Sequence, residues 1–176
     1  MQHKGRLFSI KKGIDQEVVN FVELTYQKAT AEDIEPIFAF NKELIDKYEN
    51  IQNIEYDKVL SWVRRKIENN ISEYSCVLCD GQKAGYFHFY PSEGMRELDD
   101  LYIFPEFQNQ GIGTEIIKKC CTESETPVFL YVFIKNDKAV ALYKRLGFKV
   151  VKTIDNSRYI MQKGENVPCF IWKEEV

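Results

Sequence analysis

The sequence predicts an α/β domain of the α+β kind: a mixed, mostly antiparallel sheet with helices on both faces. Three observations carry that expectation. Short runs with two-residue alternation, such as 21–26, interleave with longer runs whose apolar residues return every three or four positions, such as 34–48. The stretch Pro127-Val-Phe-Leu-Tyr-Val-Phe-Ile134 is nearly all apolar, as a strand covered on both faces is. Residues 98–116 read as a strand, a glycine turn and a helix in direct succession.

Bulk properties bound the rest. A chain of 176 residues, 44% hydrophobic and 14% aromatic, predicts one folded domain (20–176) behind an N-terminal arm (1–19). The net charge of −3 argues against a nucleic-acid partner, because no basic face dominates. No run approaches the ~20 apolar residues of a membrane span. The basic N-terminus lacks the apolar core of a signal peptide, and five cysteines is an odd number. Both predict a reducing, cytoplasmic setting with free thiols.

In chain order, 21–26 alternate as a first strand, and Thr30 with Asp33 reads as a capping box. Ile34, Ile37, Phe38, Asn41, Ile45 and Tyr48 lie at helical spacing. Asp57 is expected to cap a second helix with Val59, Leu60, Val63 and Ile67 inward. Residues 74–79 and 84–90 form a hairpin about Asp80-Gly81. Cys76 and Cys79 fall on opposite faces of its first strand, which speaks against a redox or zinc pair, and His88 reads as a packed core histidine. With His3 as the only other histidine, a histidine metal site has little support. The turn 91–94 leads into a central strand from Arg96 to Phe104, which Pro105 ends because it has no N–H. A helix follows to about Cys121, with Cys120 on its apolar stripe. After the strand at 127–134, Asn136 caps a helix that Gly147 closes. Residues 148–154 read as a strand, 155–166 as a long polar excursion with Tyr159, and 167–173 as the strand that closes the sheet.

The chemistry concentrates at the glycine turn. Gly111 and Gly113 remove β-carbons, so backbone N–H groups can approach a large anion. The helix behind them aims its unsatisfied N–H groups and its dipole at the same point, which makes a pyrophosphate cradle. The pattern is neither Gly-x-Gly-x-x-Gly nor a P-loop, since Thr114 follows Gly113 and no lysine sits in the turn. It is Gln108-x-x-Gly111-x-Gly113, and it resembles the Gln/Arg-x-x-Gly-x-Gly/Ala phosphate loop of the GNAT family of acyl-CoA-dependent N-acetyltransferases. A second stretch, Asn136-Asp-Lys-Ala139-Val-Ala-Leu-Tyr143-Lys-Arg-Leu-Gly147-Phe148, resembles the family's other signature. The resemblance extends over about residues 20–174.

The resemblance implies the GNAT fold and transfer of an acetyl group from acetyl-CoA to a primary amine, without an acyl-enzyme and without a metal. It places the pyrophosphate on the amides of Asn109, Gln110, Gly111, Ile112, Gly113 and Thr114 beside Gln108. It places the pantetheine arm along the backbone of Leu101, Tyr102 and Ile103, with Asn136 as a hydrogen-bonding partner. Tyr143 lies seven residues, about two helical turns, after Asn136 and is the candidate general acid for the departing thiolate. Glu97 precedes Gln108 by eleven residues, the spacing of the base in the histone-acetylating branch, and Asp99 shares its strand face. The glutamate that another branch carries on the strand before the Asn is replaced here by Tyr131. The expected acceptor is a small-molecule amine or a protein amine, with 48–56 as the lid and a homodimer possible. The competing expectation is a non-catalytic acyl-CoA-binding or regulatory module on the same fold.

Overall fold

The computed structural model describes residues 6–10 and 20–164. Most of the expected arm and the expected strand at 167–173 lie outside those residues. Among the described residues, eight strands form one sheet in the order β1-β2-β3-β4-β5-β6-β8-β7, flanked by helices. Here β1 is Arg6–Ile10, β2 Asn20–Lys28, β3 Ser75–Cys79, β4 Gln82–Ser92, β5 Met95–Ile103, β6 Val128–Phe133, β7 Lys149–Ile154 and β8 Arg158–Lys163. The helices are α1 Ile34–Tyr48, α2 Tyr56–Asn70, α3 Ile112–Glu123 and α4 Asp137–Arg145. β5 and β6 pair in parallel, while β1–β2, β2–β3, β3–β4, β6–β8 and β7–β8 are antiparallel.

The chain divides into two compact units, and β4, β5 and α3 each contribute to both. The first comprises residues up to His88 together with Asp100–Glu115. Its core is built from Leu24, Ile37, Ile45, Val63, Ile67, Tyr74, Val77 and Ile112, all buried. α1 and α2 each carry their apolar residues as a stripe, so each buries one face. Among these residues sits a buried carboxylate, Asp33, in the 3₁₀ turn Ala31–Asp33 before α1. It accepts hydrogen bonds from Lys83 Nζ at 2.5 Å, the Thr30 amide at 2.9 Å and Tyr86 Oη at 2.9 Å. The capping box expected of Thr30 and Asp33 is present. Burial alone would push the Asp33 carboxyl up, but those donors and the Lys83 charge outweigh it and hold it at about 2.

The second unit comprises Phe89–Asp99 and the chain from Ile116 onward. Met95, Phe129 and Ile160 pack together, with Ile154 against them. α4 begins at Asn136, whose side chain accepts from the Ala139 amide at 3.3 Å. It ends at Gly147, where φ is +90°. Cys120 is buried on α3, as its place on the apolar stripe predicts.

The structure corrects three details. α2 starts at Tyr56 with Glu55 in the cap position, so Asp57 lies within the first turn and does not cap it. α3 continues to Glu123. Where a long excursion is expected at 155–166, the described residues up to 164 form a tight turn and β8. Asp155 and Asn156, with φ of +46° and +52°, turn the chain, and Ile154 pairs with Arg158. The polarity of 155–158 conceals this, and so does the adjacent burial of Ile160 and Met161, which leaves β8 without simple alternation.

Candidate active site

The candidate residues fall into two groups, one in each unit. In the first unit, β5 ends at Ile103 and Pro105–Phe107 makes a single 3₁₀ turn. Asn109 and Gly111 then take positive φ values of +59° and +84°. Asparagine and glycine are the residues that accept this conformation at least cost, and it reverses the chain into α3. The first helical bond runs from the Glu115 amide to the Gly111 carbonyl at 3.1 Å. The amides of Ile112, Gly113 and Thr114 therefore belong to the open first turn of a twelve-residue helix, where no carbonyl of the helix can reach them. A β-carbon on Gly113 would meet only Ile103 Cγ1, at 3.8 Å, so packing within the chain does not require glycine there. Two side chains brace the loop. Gln108 Nε2 donates to the Ile103 carbonyl at 2.8 Å, and Gln110 Nε2 to the Glu106 carbonyl at 2.9 Å. Gln108 thus ties the loop to the end of β5 and uses one carbonyl of the strand along which the family resemblance implies a pantetheine arm.

The path of Leu101, Tyr102 and Ile103 is set by a residue that the sequence reading does not single out. A β-carbon on Gly85 of β4 would lie 2.1 Å from the Tyr102 carbonyl oxygen and 3.1 Å from Ile103 Cα. Only glycine permits that approach. One residue away, the Phe104 amide donates to the Ala84 carbonyl at 2.8 Å. The Tyr102 ring stacks on Phe40 of α1 with centroids 3.5 Å apart, and Tyr86 and Phe104 complete an aromatic cluster. Asp100 accepts from Tyr74 Oη at 2.6 Å and lies 3.5 Å from Lys66 Nζ.

In the second unit, Glu97 is buried on β5 and accepts a hydrogen bond from Tyr90 Oη at 2.7 Å. Asp99, two residues on, is half-buried. Glu97 pairs with Phe129 in the parallel ladder, and the Phe129 ring packs edge-on to Tyr131 at 6.0 Å. Asn136 spends its side-chain oxygen on the α4 cap, and Nδ2 is the donor group of the same side chain. Tyr143 is half-buried, and its ring meets Phe148 edge-on at 5.8 Å. The Phe148 amide donates to the Tyr143 carbonyl at 3.0 Å, so Gly147-Phe148 fixes the end of the helix that carries the tyrosine.

Other residues singled out in the sequence have partners of their own. In the expected lid, Glu55 is paired with Lys58 at 2.7 Å, and Tyr56 donates to Asp46. His88 stacks on Tyr74 at 4.3 Å and lies 3.3 Å from Glu73 Oε2, as a packed histidine does. Cys76 and Cys120 are buried, and burial pushes their thiols up to about 11 and about 12. Among the described residues no three His, Cys, Asp or Glu side chains cluster as metal ligands, and no helix is long and apolar enough to cross a membrane. The sequence reading missed Gly85 and Tyr90. A glycine inside an otherwise apolar strand, and a tyrosine opposite Glu97 across a tight turn, are the signals that could have found them.

Comparison with known proteins places these motifs in context. The profile of the acetyltransferase (GNAT) family matches residues 37–148. Thialysine N-epsilon-acetyltransferase of Mus musculus is 44% identical over 54 residues, which is 28% of this chain and 32% of that protein. Spermidine N(1)-acetyltransferase of Escherichia coli K12 is 32% identical over 81 residues, 42% of this chain and 44% of that protein. The matches therefore span less than half the length of these curated relatives. Among solved structures, the PaiA N-acetyltransferase of Thermoplasma acidophilum in complex with coenzyme A superposes with a TM-score of 0.59 at 23% identity, covering 81% of this chain and 99% of that one. An N-acetyltransferase of Staphylococcus aureus Mu50 gives 0.60 at 15% identity, covering 78% and 99%. These two show a shared fold.

Proposed function

Since the chain belongs to the acetyltransferase (GNAT) family, we propose that it moves an acetyl group from acetyl-CoA to a primary amine by direct attack of the amine on the thioester. The observation that carries this reading is the loop Gln108-x-x-Gly111-x-Gly113, with its positive-φ glycine and the open first turn of α3 behind it. Amides of Asn109 to Thr114 would hold the pyrophosphate, where backbone donors and the helix dipole favour negative charge. The backbone of Leu101 to Ile103 would take the pantetheine arm as an added strand. β5 runs on for six residues past Glu97, the last residue in its parallel pairing with β6. Asn136 Nδ2 would donate to a pantetheine carbonyl.

The reaction needs a proton removed from the amine and a proton for the thiolate. Glu97 is the proposed base, with Asp99 second. As the nitrogen lone pair forms the bond to the thioester carbon, the N–H proton passes to the carboxylate. Collapse of the intermediate breaks the C–S bond, and the Tyr143 hydroxyl gives its proton to sulfur. A backbone N–H of the same strand would donate to the developing oxyanion. The relatives named for thialysine and spermidine support a small-molecule primary amine as the acceptor, attacking as the free amine; a protein amine is the alternative.

The test is release of CoA from acetyl-CoA in the presence of a panel of diamines, lysine analogues and peptides. Acetylation of at least one amine, dependent on Tyr143, is the expected result. Calorimetric binding of acetyl-CoA with no transfer to any amine would make the chain a binding module instead.

A further inference from the structure

We infer that Tyr90 is a positioning residue for Glu97, holding the buried carboxylate in place and in its ionised, proton-accepting form. This rests on the reading of Glu97 as the general base.

The argument begins with the turn. Glu93 and Gly94, with φ of +48° and +79°, join β4 to β5 as a two-residue hairpin loop. Such a loop needs positive φ at both positions and fixes the register of the strands it joins. Ser92 and Met95 flank it, so counting outward sets Tyr90 opposite Glu97 on the neighbouring strand. The hydrogen bond at 2.7 Å is the result. The donor is thus held close to the turn by a two-residue loop.

The pairing has a chemical consequence. Glu97 is only 7% exposed, and a carboxylate shielded from water tends to keep its proton unless something donates to it. A base that is already protonated cannot accept a proton from the amine. Tyr90 supplies a neutral donor, which stabilises the charge without cancelling it. Burial, and then the Glu97 carboxylate that accepts from it, push the Tyr90 phenol above its usual range. The phenolic proton therefore stays on Tyr90 while the amine's proton moves to Glu97. Among the described residues, Asp99 on β5 and Tyr131 on β6 are titratable groups close enough to Tyr90 to act on it. The negative charge of Asp99 works against ionisation of a nearby carboxylate, which makes the donor more necessary.

Tyr90→Phe removes the donor and keeps the ring. The Glu97 carboxyl would be followed by carbon-13 NMR of protein labelled at the glutamate side-chain carboxyl, its resonance assigned by its loss in Glu97→Gln. In Tyr90→Phe the titration midpoint should rise by about one to two pH units, the size expected when a hydrogen bond to a charged group is lost. The acid limb of the acetylation rate should rise with it, measured with whichever amine of the panel is accepted. A midpoint that does not move overturns the role of Tyr90. A midpoint that moves while the acid limb stays in place refutes Glu97 as the base, and with it the inference built on that reading.

Discussion

Replacing Asp33 by asparagine tests how the first unit is held together. The side chain keeps its shape but loses the charge that Lys83, Thr30 and Tyr86 address. In the folded chain the carboxyl is held at about 2, against an ordinary value of 3.8. Each pH unit of that difference corresponds to about 1.4 kcal/mol, so the ionised form contributes about 2 kcal/mol to folding at neutral pH. The sign follows from a lowered value. The contribution is complete above about pH 4, falls to roughly half by pH 3, and is nearly gone at pH 2. Urea denaturation of wild type and Asp33→Asn between pH 7 and pH 2 measures it. The gap between them should be about 2 kcal/mol or more at neutral pH, because the variant also leaves Lys83 without its anion, and should narrow as the pH falls from 4 to 2. A gap that keeps its size across that range would refute the argument, because the stabilisation would then not depend on the carboxylate charge.

Three further outcomes follow from geometry. Gly85→Ala forces a β-carbon against the Tyr102 carbonyl and should cost about 1–3 kcal/mol of stability in urea, whereas Gly113→Ala meets only ordinary contact and should cost less. Gly111→Glu puts an acidic side chain where φ is +84° and should weaken CoA binding at least tenfold, about 1.4 kcal/mol, by calorimetry on folded protein. Tyr143→Phe keeps the ring that packs on Phe148, so the melting temperature should hold. Its single-turnover rate should fall toward the low end of the roughly 10²–10⁴-fold range of general acid catalysis, with affinity for acetyl-CoA changed less than about threefold. Equal losses of rate and binding would make Tyr143 a cofactor contact.

The parts legible in the sequence were those that local chemistry specifies. The Asp80-Gly81 turn, the Asn136 cap, the Gly147 stop and the break at Pro105 each depend on a residue whose backbone preference is strong, and each stands where expected. The glycine loop belongs with them, because Gly111 is needed by its own φ. What stayed hidden depends on partners distant in sequence. Asp33 reads as one half of a capping box with Thr30, but its bonds to Lys83 and Tyr86 come from a strand fifty residues away. Gly85 looks like a weak point in a strand until the Tyr102 carbonyl is seen beside it. Tyr90 looks like one more aromatic in an aromatic run until the hairpin register delivers it to Glu97. The turn after β7 is hidden for a different reason. Its polarity resembles that of a long loop, while Asp155 and Asn156 need only a few residues to reverse the chain.

β7 is the last strand in the order of the described sheet, and its residues are mostly exposed. Val150 and Val151 are 40% and 44% exposed, so among the described residues this border offers apolar side chains. Such a border can recruit a strand from another molecule and seed insoluble assemblies. Two features work against it here: Lys149 and Lys152 bracket the valines, and the pairing with β8 slips between Val150 and Lys152, which spoils a straight template. Lys149 and Lys152 are therefore expected to guard this border against strand addition. Neutralising them, for instance by acetylation of their own amines, would remove the electrostatic guard and leave the valines exposed.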